Sequence, residues 1–307
     1  MTISEMNADL LSRIENLSIW TRGDQRAPHK PLLLLWALGR IQQGQPRLAT
    51  YAETAGAVDT LLLAYGSPTK TETKYPFWYL KNDDLWVVPS SDGLPRRGQN
   101  KEPLVSAMLE AETTGGLRPD DHELLANDPN LLNQVVAMLL DRHFPPSLHE
   151  ELRQACDIEV AIPGQSGPSD GSERGQKRDP GFRHNVLRAY AYRCAVCGYD
   201  GMLGGHQIGL EAAHVMWRHF QGPSSTSNGI ALCPLHHKLL DLGAWGLTED
   251  LRLCVSSHLH GSTESQAILT RHAGAPLLGP QQGELPVASI YREWHFKKVF
   301  KGPARPF

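Results

Sequence analysis

Two short pairs of potential metal ligands stand about 35 residues apart in the second half of the chain. Cys194 and Cys197 form the first pair and Cys233 and His236 the second, each with two residues between its members. Such a gap lets both members of a pair reach one tetrahedral ion, and structural zinc prefers thiolate and imidazole ligands. The alternative, buried cysteines and a surface histidine, does not explain the paired spacing. The sequence therefore predicts one closed structural zinc (Zn²⁺) site.

A second potential metal site overlaps the first. In the stretch HHKLLD, His237 and Asp241 are four residues apart, so on a helix that starts near Pro234 both side chains lie on one face. A divalent cation could bind between this imidazole and this carboxylate. The sequence therefore predicts two metal ions of different kinds within one short segment.

Two further polar residues stand upstream of this helix. His214 lies in the apolar, strand-like run 209–217, and Asn228 lies in the loop that leads back toward Cys233. A lone histidine on a strand is more often a core residue than a catalytic base, but here the asparagine and the helix follow it in register. We therefore expect the strand, the loop and the helix to converge on one site.

Segment 193–241 resembles an HNH endonuclease domain of the ββα-metal type, in the branch that folds around zinc. The resemblance implies that His214 is the general base and that Asn228 orients this histidine or its loop. It also implies that His237, with Asp241, binds the catalytic divalent ion, Mg²⁺, Mn²⁺ or a similar cation. Imidazole suits the role of base because its titration falls near neutral pH. The cation would polarise the scissile phosphate and stabilise the leaving 3′ oxygen.

The segment departs from this family at one position. Many members have an aspartate ligand immediately before the first histidine, where this chain has Ala213. Either His237 and Asp241 suffice as protein ligands, or Glu211 joins them. Because side chains alternate along a strand, Glu211 is expected on the face opposite His214, which favours the first alternative.

Length and composition indicate a protein of two domains. At 307 residues the chain exceeds the usual size of a single core. Its start has no basic-then-apolar signal pattern, and no apolar run is long enough to span a membrane. The five cysteines suit metal chemistry in a reducing compartment, so we expect a cytoplasmic protein with no membrane partner. Cys156 and Cys254 stand alone and are expected to be core thiols.

The net charge of −3 conceals an asymmetry between the two halves. Residues 180–307 contain 12 Lys or Arg against 8 Asp or Glu, whereas residues 1–179 contain 18 against 25. A positive half is expected of a domain that contacts phosphate. The tail 291–301 adds lysines among aromatic residues, which predicts either DNA contact or an amphipathic helix docked on the domain, and both alternatives stay open.

A polar segment separates the halves. Residues 163–180 are dense in Gly, Ser, Pro and charged residues and cannot bury enough apolar surface to fold alone. We therefore predict a first domain over 1–160, a flexible linker over 161–180 and a nuclease domain over 181–307.

The first domain is predicted to be mostly helical with a small β element, so the fold class is α+β. Apolar residues recur with helical spacing in segments 10–17, 32–41, 58–62 and 131–139. Aromatic and branched residues at 75–80 and 85–88, on either side of a turn, predict a β-hairpin whose first strand lies at an edge because it contains proline.

Two clusters in the first domain predict a DNA-reading surface. The stretch RAPHKP places two cations and a histidine where Pro31 can open a helix, so its positive end would face an anion. The second cluster is YPFW with the downstream LPRRG. Each alone has an ordinary explanation, as a helix cap, as core or as a solvated turn. The residues assigned to this surface are Arg26, Pro28, His29, Lys30, Tyr75, Pro76, Phe77, Trp78, Arg96 and Arg97.

Over roughly residues 10–150 these motifs resemble the sulfur-binding domain of phosphorothioate-dependent McrA-type restriction endonucleases. In that family an apolar pocket recognises DNA in which sulfur replaces a non-bridging phosphate oxygen. Sulfur is larger, softer and a poorer hydrogen-bond acceptor, so apolar walls favour it over a strongly hydrated oxygen. The resemblance implies that Tyr75 and Pro76 line this pocket.

The same resemblance implies roles for the cationic residues. His29 and Lys30 would hold the negative charge around the sulfur. Either Arg96 or Arg97 would reach a guanine edge in the major groove with a two-pronged hydrogen bond, and the sequence does not choose between them.

Together the two halves predict a modification-dependent, type IV-like restriction endonuclease. Its first domain would find phosphorothioated double-stranded DNA, and the tethered HNH domain would cut at variable distances nearby, with a homodimer as the form that could cut both strands. One rival is an HNH endonuclease that reads a modified, for example methylated, base. Another is a non-catalytic, zinc-stabilised DNA-binding protein, favoured only by Ala213. A nuclease toxin fits poorly because the chain shows no secretion segment.

Overall fold

The chain folds as two compact units in the computed structural model, Met1–Ser172 and Glu173–Phe307. The structure describes residues 2–19, 21–22, 25–26, 28–67, 72–89, 92–96, 98, 101–159 and 180–306. The boundary between the units falls within the predicted linker, which itself lies outside the described residues except for Pro180, where a helix begins. In the described ranges, no helix has both the length and the apolar character needed to cross a bilayer.

The first unit is mainly helical, as predicted. Its helices are α1 (Ile3–Glu15), α2 (His29–Gln42), α3 (Tyr51–Tyr65), α4 (Lys74–Tyr79), α5 (Val105–Glu110), α6 (Pro119–Asn127), α7 (Pro129–His143) and α8 (His149–Ala155). Its strands are β1 (Thr21–Arg22), β2 (Gln25–Arg26), β3 (Ala49–Thr50), β4 (Trp86–Val87) and β5 (Thr114–Leu117). Strands β1 and β2 pair with each other, and β3, β5 and β4 form an antiparallel sheet in that order.

Helix α2 is the centre of this unit. Its residues Leu32–Leu35 are at most 1% exposed, and it packs against α3, α4, α6 and α7. A helix that is apolar around most of its circumference is buried by neighbours on several sides. The helical spacing predicted for segments 10–17, 32–41, 58–62 and 131–139 corresponds to α1, α2, α3 and α7.

The predicted hairpin of residues 75–88 is wrong in its first half. Residues Lys74–Tyr79 form α4, followed by a 3₁₀ helix over Leu80–Asp83. Proline is tolerated in the first turn of a helix, where its missing N–H has no helical partner. The second half of the prediction holds, since Trp86 and Val87 form β4, but their partner is β5.

The second unit is built around a β-hairpin followed by a helix. Its helices are α9 (Pro180–Ala189), α10 (Pro234–Asp241), α11 (Thr263–Thr270) and α12 (Ser289–Lys298). Its strands are β6 (Met202–Leu203), β7 (His206–Gln207), β8 (Glu211–His214), β9 (Gly229–Leu232), β10 (Trp245–Leu247) and β11 (Leu253–Val255), which pair as β6–β7, β8–β9 and β10–β11. The fold class is therefore the predicted α+β, with a ββα arrangement at the C-terminal half.

Strands β8 and β9 and helix α10 meet around a shared apolar core. The two strands are antiparallel, with Glu211 opposite Leu232 and His214 opposite Gly229. Helix α10 follows Cys233 directly, begins with proline and packs against both strands. Ala213 and Ile230 are fully buried in this core. The strand, the turn before β9 and the helix are thus adjacent, as the sequence predicted.

Candidate nuclease centre and DNA-reading surface

The four predicted zinc ligands form one cluster. Cys194, Cys197, Cys233 and His236 each offer one ligand atom, and these atoms all lie within 4.8 Å of one another. The Nδ1 atom of His236 is 3.1 Å from Sγ of Cys233 and 3.6 Å from Sγ of Cys194. Sulfur atoms about 2.3 Å from a tetrahedral zinc ion are separated by roughly 4 Å, so the donors fit this ion. The residues could therefore hold a structural metal ion.

The surrounding backbone supports these ligands. Gly198 ends the first ligand pair with φ +74°, and its N–H donates to the carbonyl of Cys194 at 2.9 Å. The Nε2 atom of His236 lies 3.3 Å from the carbonyl oxygen of Ile268, which leaves Nδ1 to face the sulfurs. The indole of Trp245 donates to the carbonyl of His236 at 3.0 Å. Such partners fix the tautomer and orientation of a metal-binding imidazole.

The cluster also favours a thiolate. A hydrogen bond from Cys233 lowers the pKa of Cys194 to about 3 against the opposing effect of burial, and a further bond from His236 acts in the same direction. The same bond to Cys194, together with burial, raises the pKa of Cys233. An interior thiolate beside neutral donors attracts a metal cation, because thiolates are the form of cysteine that binds metal.

The residues predicted to bind the catalytic cation, His237 and Asp241, lie on α10, where His237 directly follows the zinc ligand candidate His236. The Nε2 atom of His237 is 3.2 Å from Oδ2 of Asp241, whose side chain is 1% exposed, and Nδ1 is 2.6 Å from Oε2 of Glu211. Burial by itself would lower the pKa of His237, but the charges and hydrogen bonds of Asp241 and Glu211 raise it to about 9. Two carboxylates around one imidazole concentrate negative charge, which can attract a divalent cation.

The structure brings Glu211 to His237, and a role for Glu211 as a ligand stays a prediction. The sequence analysis favoured a site without Glu211, because strand alternation places it on the face opposite His214. Alternation holds within β8, which begins with Glu211. However, α10 packs against this strand, and the carboxylate of Glu211 reaches His237 on that helix.

The imidazole of His214, at the end of β8, contacts Phe182 and Ser224. Its ring stacks on Phe182 of α9, with 3.9 Å between ring centroids and 17° between the planes. Its Nε2 atom lies 3.3 Å from Oγ of Ser224. The side chain is half-buried. Stacking fixes the plane of the imidazole, and its Nε2 atom faces a hydroxyl group.

Asn228 binds the loop that follows His214. Its side chain is fully buried, its Oδ1 accepts from the N–H of Met216 at 2.8 Å, and its Nδ2 donates to the carbonyls of Met216 at 2.9 Å and Pro223 at 3.0 Å. Of the two roles that the family resemblance allowed, this geometry supports orientation of the loop. The Asn228 side chain therefore ties together the backbone of this loop.

The C-terminal helix α12 docks on the second unit. Trp294 and His295 are buried, and the Nε2–H of His295 must donate to the carbonyl of Leu240, 3.0 Å away, because a carbonyl only accepts. Lys297 is exposed and forms an ion pair with Glu293 at 3.2 Å. Of the two alternatives predicted for the tail, the structure shows the helix docked on the domain. DNA contact by its lysines remains a prediction.

In the first unit, the charge of Lys30 is paired inside the fold. Its Nζ atom, on a side chain 7% exposed, lies 2.5 Å from Oδ2 of Asp83 and donates to the carbonyl and hydroxyl oxygens of Ser18 at 2.8 and 2.9 Å. The sequence analysis assigned this cation to the DNA phosphate. The structure places it instead between the start of α2 and the 3₁₀ helix before β4, where it joins two distant segments.

We expect Lys30→Met to destabilise the first unit by about 3–5 kcal/mol, because it leaves the carboxylate of Asp83 buried without a counter-ion. Chemical denaturation followed by far-ultraviolet circular dichroism measures the loss. The double variant Lys30→Met, Asp83→Leu should recover most of the stability, since it removes both charges. If the single variant is as stable as the unchanged protein, the pair contributes little to the fold.

His29, at the first position of α2, is buried and neutral. Burial, with a smaller contribution from the positive charge of Lys30, lowers the pKa of His29 to about 4. Its side chain is 7% exposed, and its Nδ1 atom has no hydrogen-bond partner in the described part of the chain. Among the other residues assigned to this segment, Pro28 is half-buried, and the side chain of Arg26 lies outside what the structure describes.

The YPFW motif contains one exposed residue. Tyr75 is 39% exposed, whereas Pro76, Phe77 and Trp78 are buried. The ring of Phe77 packs edge-on against Tyr51, with centroids 5.2 Å apart, so Phe77 belongs to the core. The sequence analysis had assigned it to the DNA-reading surface. Tyr75 and Pro76 stay candidates for the sulfur pocket.

Two cations lie over the ring of Trp78. The ammonium of Lys81 is 3.3 Å from the ring centroid and the guanidinium of Arg96 is 4.8 Å away. Burial, then the charge of Arg96, lowers the pKa of Lys81. Arg96 is exposed at an isolated bridge to Pro103, whereas Arg97 lies outside the described residues. Arg96 therefore presents a positive group held by cation–π contact.

Sequence reasoning missed four residues that contact members of the two candidate sites, namely Lys81, Asp83, Trp217 and Phe182. The spacing of Lys81 and Asp83 after YPFW gave no signal, because their partners Trp78 and Lys30 meet them only in the folded unit. Trp217 lies three residues after His214, and its role became visible only through its bond to Asp241.

Two family models match the chain. Residues 7–159 match the ScoMcrA-like DNA sulfur-binding domain, and residues 194–248 match the HNH endonuclease family. The chain belongs to the class of proteins that join a DNA sulfur-binding domain to an HNH nuclease. This is the domain organisation of a phosphorothioate-dependent restriction endonuclease.

Solved structures similar to the chain include three of the McrA type. The sulfur-binding domain of ScoMcrA with phosphorothioated DNA is 29% identical, covers 48% of this chain and 94% of its own, and has a TM-score of 0.43. The SprMcrA sulfur-binding domain with phosphorothioated DNA is 24% identical, covers 52% and 98%, and scores 0.44. The type IV phosphorothioation-dependent restriction endonuclease ScoMcrA is 17% identical, covers 85% and 97%, and scores 0.41. No relative was found among curated proteins.

Proposed function

We propose that the second unit hydrolyses DNA at a one-cation site formed by His237 and Asp241, with His214 as general base. The observation that carries this proposal is the position of His237, which lies on the helix after the β8–β9 hairpin. Its imidazole is held between the carboxylates of Glu211 and Asp241. We further propose that the first unit selects DNA with a phosphorothioate linkage and that the structural ion of the cysteine cluster is zinc.

In the proposed reaction His214 takes a proton from the attacking water as the new oxygen–phosphorus bond forms. The bond from phosphorus to the 3′ oxygen breaks, and this oxygen takes up a proton from solvent. When bound, a divalent ion such as Mg²⁺ or Mn²⁺ would supply Lewis-acid stabilisation of that oxygen. Stacking on Phe182 and the contact with Ser224 hold the imidazole of His214 in one orientation. Asn228 keeps the following loop in place.

Glu211 is proposed to orient His237. A carboxylate that accepts from one nitrogen of an imidazole leaves the other nitrogen to bind a cation, and it increases the basicity of that nitrogen. The contact between Glu211 and Nδ1 of His237 at 2.6 Å, with Asp241 beside Nε2, supports this arrangement. Glu211 would thereby compensate for Ala213, which takes the place of the acid that many relatives of the HNH type use as a ligand.

Sulfur recognition is proposed for the surface around Tyr75, Pro76 and His29. A neutral His29 and the proline ring offer apolar contact, and the exposed ring of Tyr75 adds a wall. Arg96 would supply the cation toward DNA, since Lys30 is paired with Asp83. Because His29 is neutral, discrimination between sulfur and oxygen would come from desolvation more than from charge.

We expect the protein to cut a plasmid that carries phosphorothioate linkages and to leave the matched unmodified plasmid intact. The test incubates both plasmids with the protein in Mg²⁺, Mn²⁺, Co²⁺ or Ni²⁺ and separates the products on a gel. A third, base-methylated plasmid distinguishes the rival reader. Equal cutting of the modified and unmodified plasmids would remove the sulfur-reading assignment, and cutting of the methylated plasmid alone would favour the rival.

Tyr75→Ala should weaken retention of phosphorothioated duplex at least tenfold, about 1.4 kcal/mol, because it removes the exposed aromatic wall. The matched variant Tyr75→Phe keeps the ring and should bind like the unchanged protein. Zinc content should stay at one ion per chain in both. Equal binding by all three proteins would exclude Tyr75 from the pocket.

A further inference from the structure

The two oxygens of Asp241 have different partners. Its side chain is 1% exposed, Oδ1 accepts from the indole N–H of Trp217 at 2.7 Å, and Oδ2 lies 3.2 Å from Nε2 of His237. A carboxylate can rotate about its Cβ–Cγ bond and exchange its oxygens. A donor on one oxygen selects a single rotational state and leaves the other oxygen toward the imidazole.

The indole of Trp217 is itself held by packing. Its ring meets Trp294 of α12 edge-on, with centroids 5.7 Å apart and 65° between the planes. Phe220 lies 6.1 Å away and also contacts Trp294, at 5.1 Å. Trp294 is 6% exposed. Because these rings surround Trp217, the direction of its N–H follows from the packing of α12 on the unit.

We infer that Trp217 is a positioning residue of the nuclease centre, which fixes Asp241 so that Oδ2 is the oxygen offered to the catalytic cation. This inference rests on the proposed function of Asp241 as a cation ligand. Trp217 does not touch the reacting atoms in this scheme. It acts through Asp241, as hydrogen-bond partners of metal ligands do in other sites, where their loss weakens metal affinity about 10- to 100-fold.

The test is Trp217→Phe in the zinc-loaded full chain. Phenylalanine keeps an aromatic ring but removes the indole N–H, so the affinity for Mn²⁺, measured by electron paramagnetic resonance of the free ion, should fall about 10- to 100-fold. DNA cleavage should fall at low Mn²⁺ and return at saturating Mn²⁺. A role limited to folding would not give this recovery.

Trp294→Phe is the matched control. The Nε1 atom of Trp294 is buried and has no hydrogen-bond partner in the described residues, so the same substitution in the same cluster removes no hydrogen bond. Its Mn²⁺ affinity should fall clearly less than that of Trp217→Phe, because Trp294→Phe keeps the indole N–H that Asp241 accepts and changes only one ring of the packing around Trp217. An equal loss of affinity in both variants would overturn the inference.

Asp241→Asn separates this inference from the proposed function. If Asp241→Asn leaves Mn²⁺ affinity unchanged, the cation site itself is misassigned. If Asp241→Asn weakens Mn²⁺ binding and Trp217→Phe does not, the cation site stands and the role of Trp217 is excluded. Thermal unfolding and zinc content, measured for all three variants, identify any protein that fails to fold.

Discussion

Replacing His214 by alanine is expected to lower the rate of DNA cleavage by about 10²- to 10⁴-fold, the range that a positioned general base contributes. The loss should appear in the rate at saturating DNA and divalent ion, because His214 is proposed to act on the attacking water and not to bind the DNA or the cation. Single-turnover cleavage of a phosphorothioated duplex measures it directly. Substitution also removes the stacking on Phe182, so folding must be checked by thermal unfolding.

His206→Ala is a suitable control for this variant, since His206 lies in β7 and is exposed. It should cut at the normal rate. Both variants should retain phosphorothioated DNA, bind Mn²⁺ with unchanged affinity and contain one zinc ion per chain. Undiminished cutting by His214→Ala would remove the assignment of the base, although the nuclease assignment of the domain would survive it.

Cys194→Ser is expected to abolish zinc binding and to unfold the second unit at ordinary temperature. Structural zinc contributes apparent binding free energies on the order of 10 kcal/mol in small zinc domains, and this energy is folding energy. Cys194 is fully buried and bridges the first ligand pair to His236, so serine cannot replace it. Atomic absorption gives the zinc content, and limited proteolysis with mass spectrometry shows which unit becomes susceptible.

Cys254→Ser provides the matched control. Cys254, in β11, and Cys156 are buried thiols, as predicted from the sequence, and Cys254 lies outside the four-residue ligand cluster. Its zinc content should stay at one ion per chain, and any destabilisation should be that of a buried polar substitution alone, about 1–3 kcal/mol. Zinc retained by Cys194→Ser would show that the cluster does not depend on this ligand.

The cysteine cluster could be predicted from the sequence because its members follow local rules, and the pair proposed for the cation follows one as well. The spacing of Cys194, Cys197, Cys233 and His236 is set by tight backbone turns, and the pair His237 and Asp241 by the period of one helix. These constraints act within a few residues, so a pattern in the sequence contains them. The same holds for the helices of the first unit, whose apolar spacing is regular.

The rest depended on contacts between distant segments. Lys30 and Asp83 are 53 residues apart, and no local pattern pairs them. The aromatic run of α4 has the composition of a strand, but three buried side chains, Phe77, Trp78 and Leu80, are accommodated by helical turns against α2. The alternation of a strand considered alone disfavoured Glu211 without excluding it, whereas a third element, α10, provides the imidazole that Glu211 meets.

The adjacency of His236 and His237 has a consequence for how the second unit is encoded. Successive residues of an α-helix point about 100° apart, so one ring faces the three sulfurs and the next faces Glu211 and Asp241. The structural ion and the ion proposed for hydrolysis are thus kept apart by the positions of His236 and His237 on the eight-residue helix α10. An insertion or deletion in this helix would change which imidazole faces which group. A substitution elsewhere in the helix would leave this spacing unchanged.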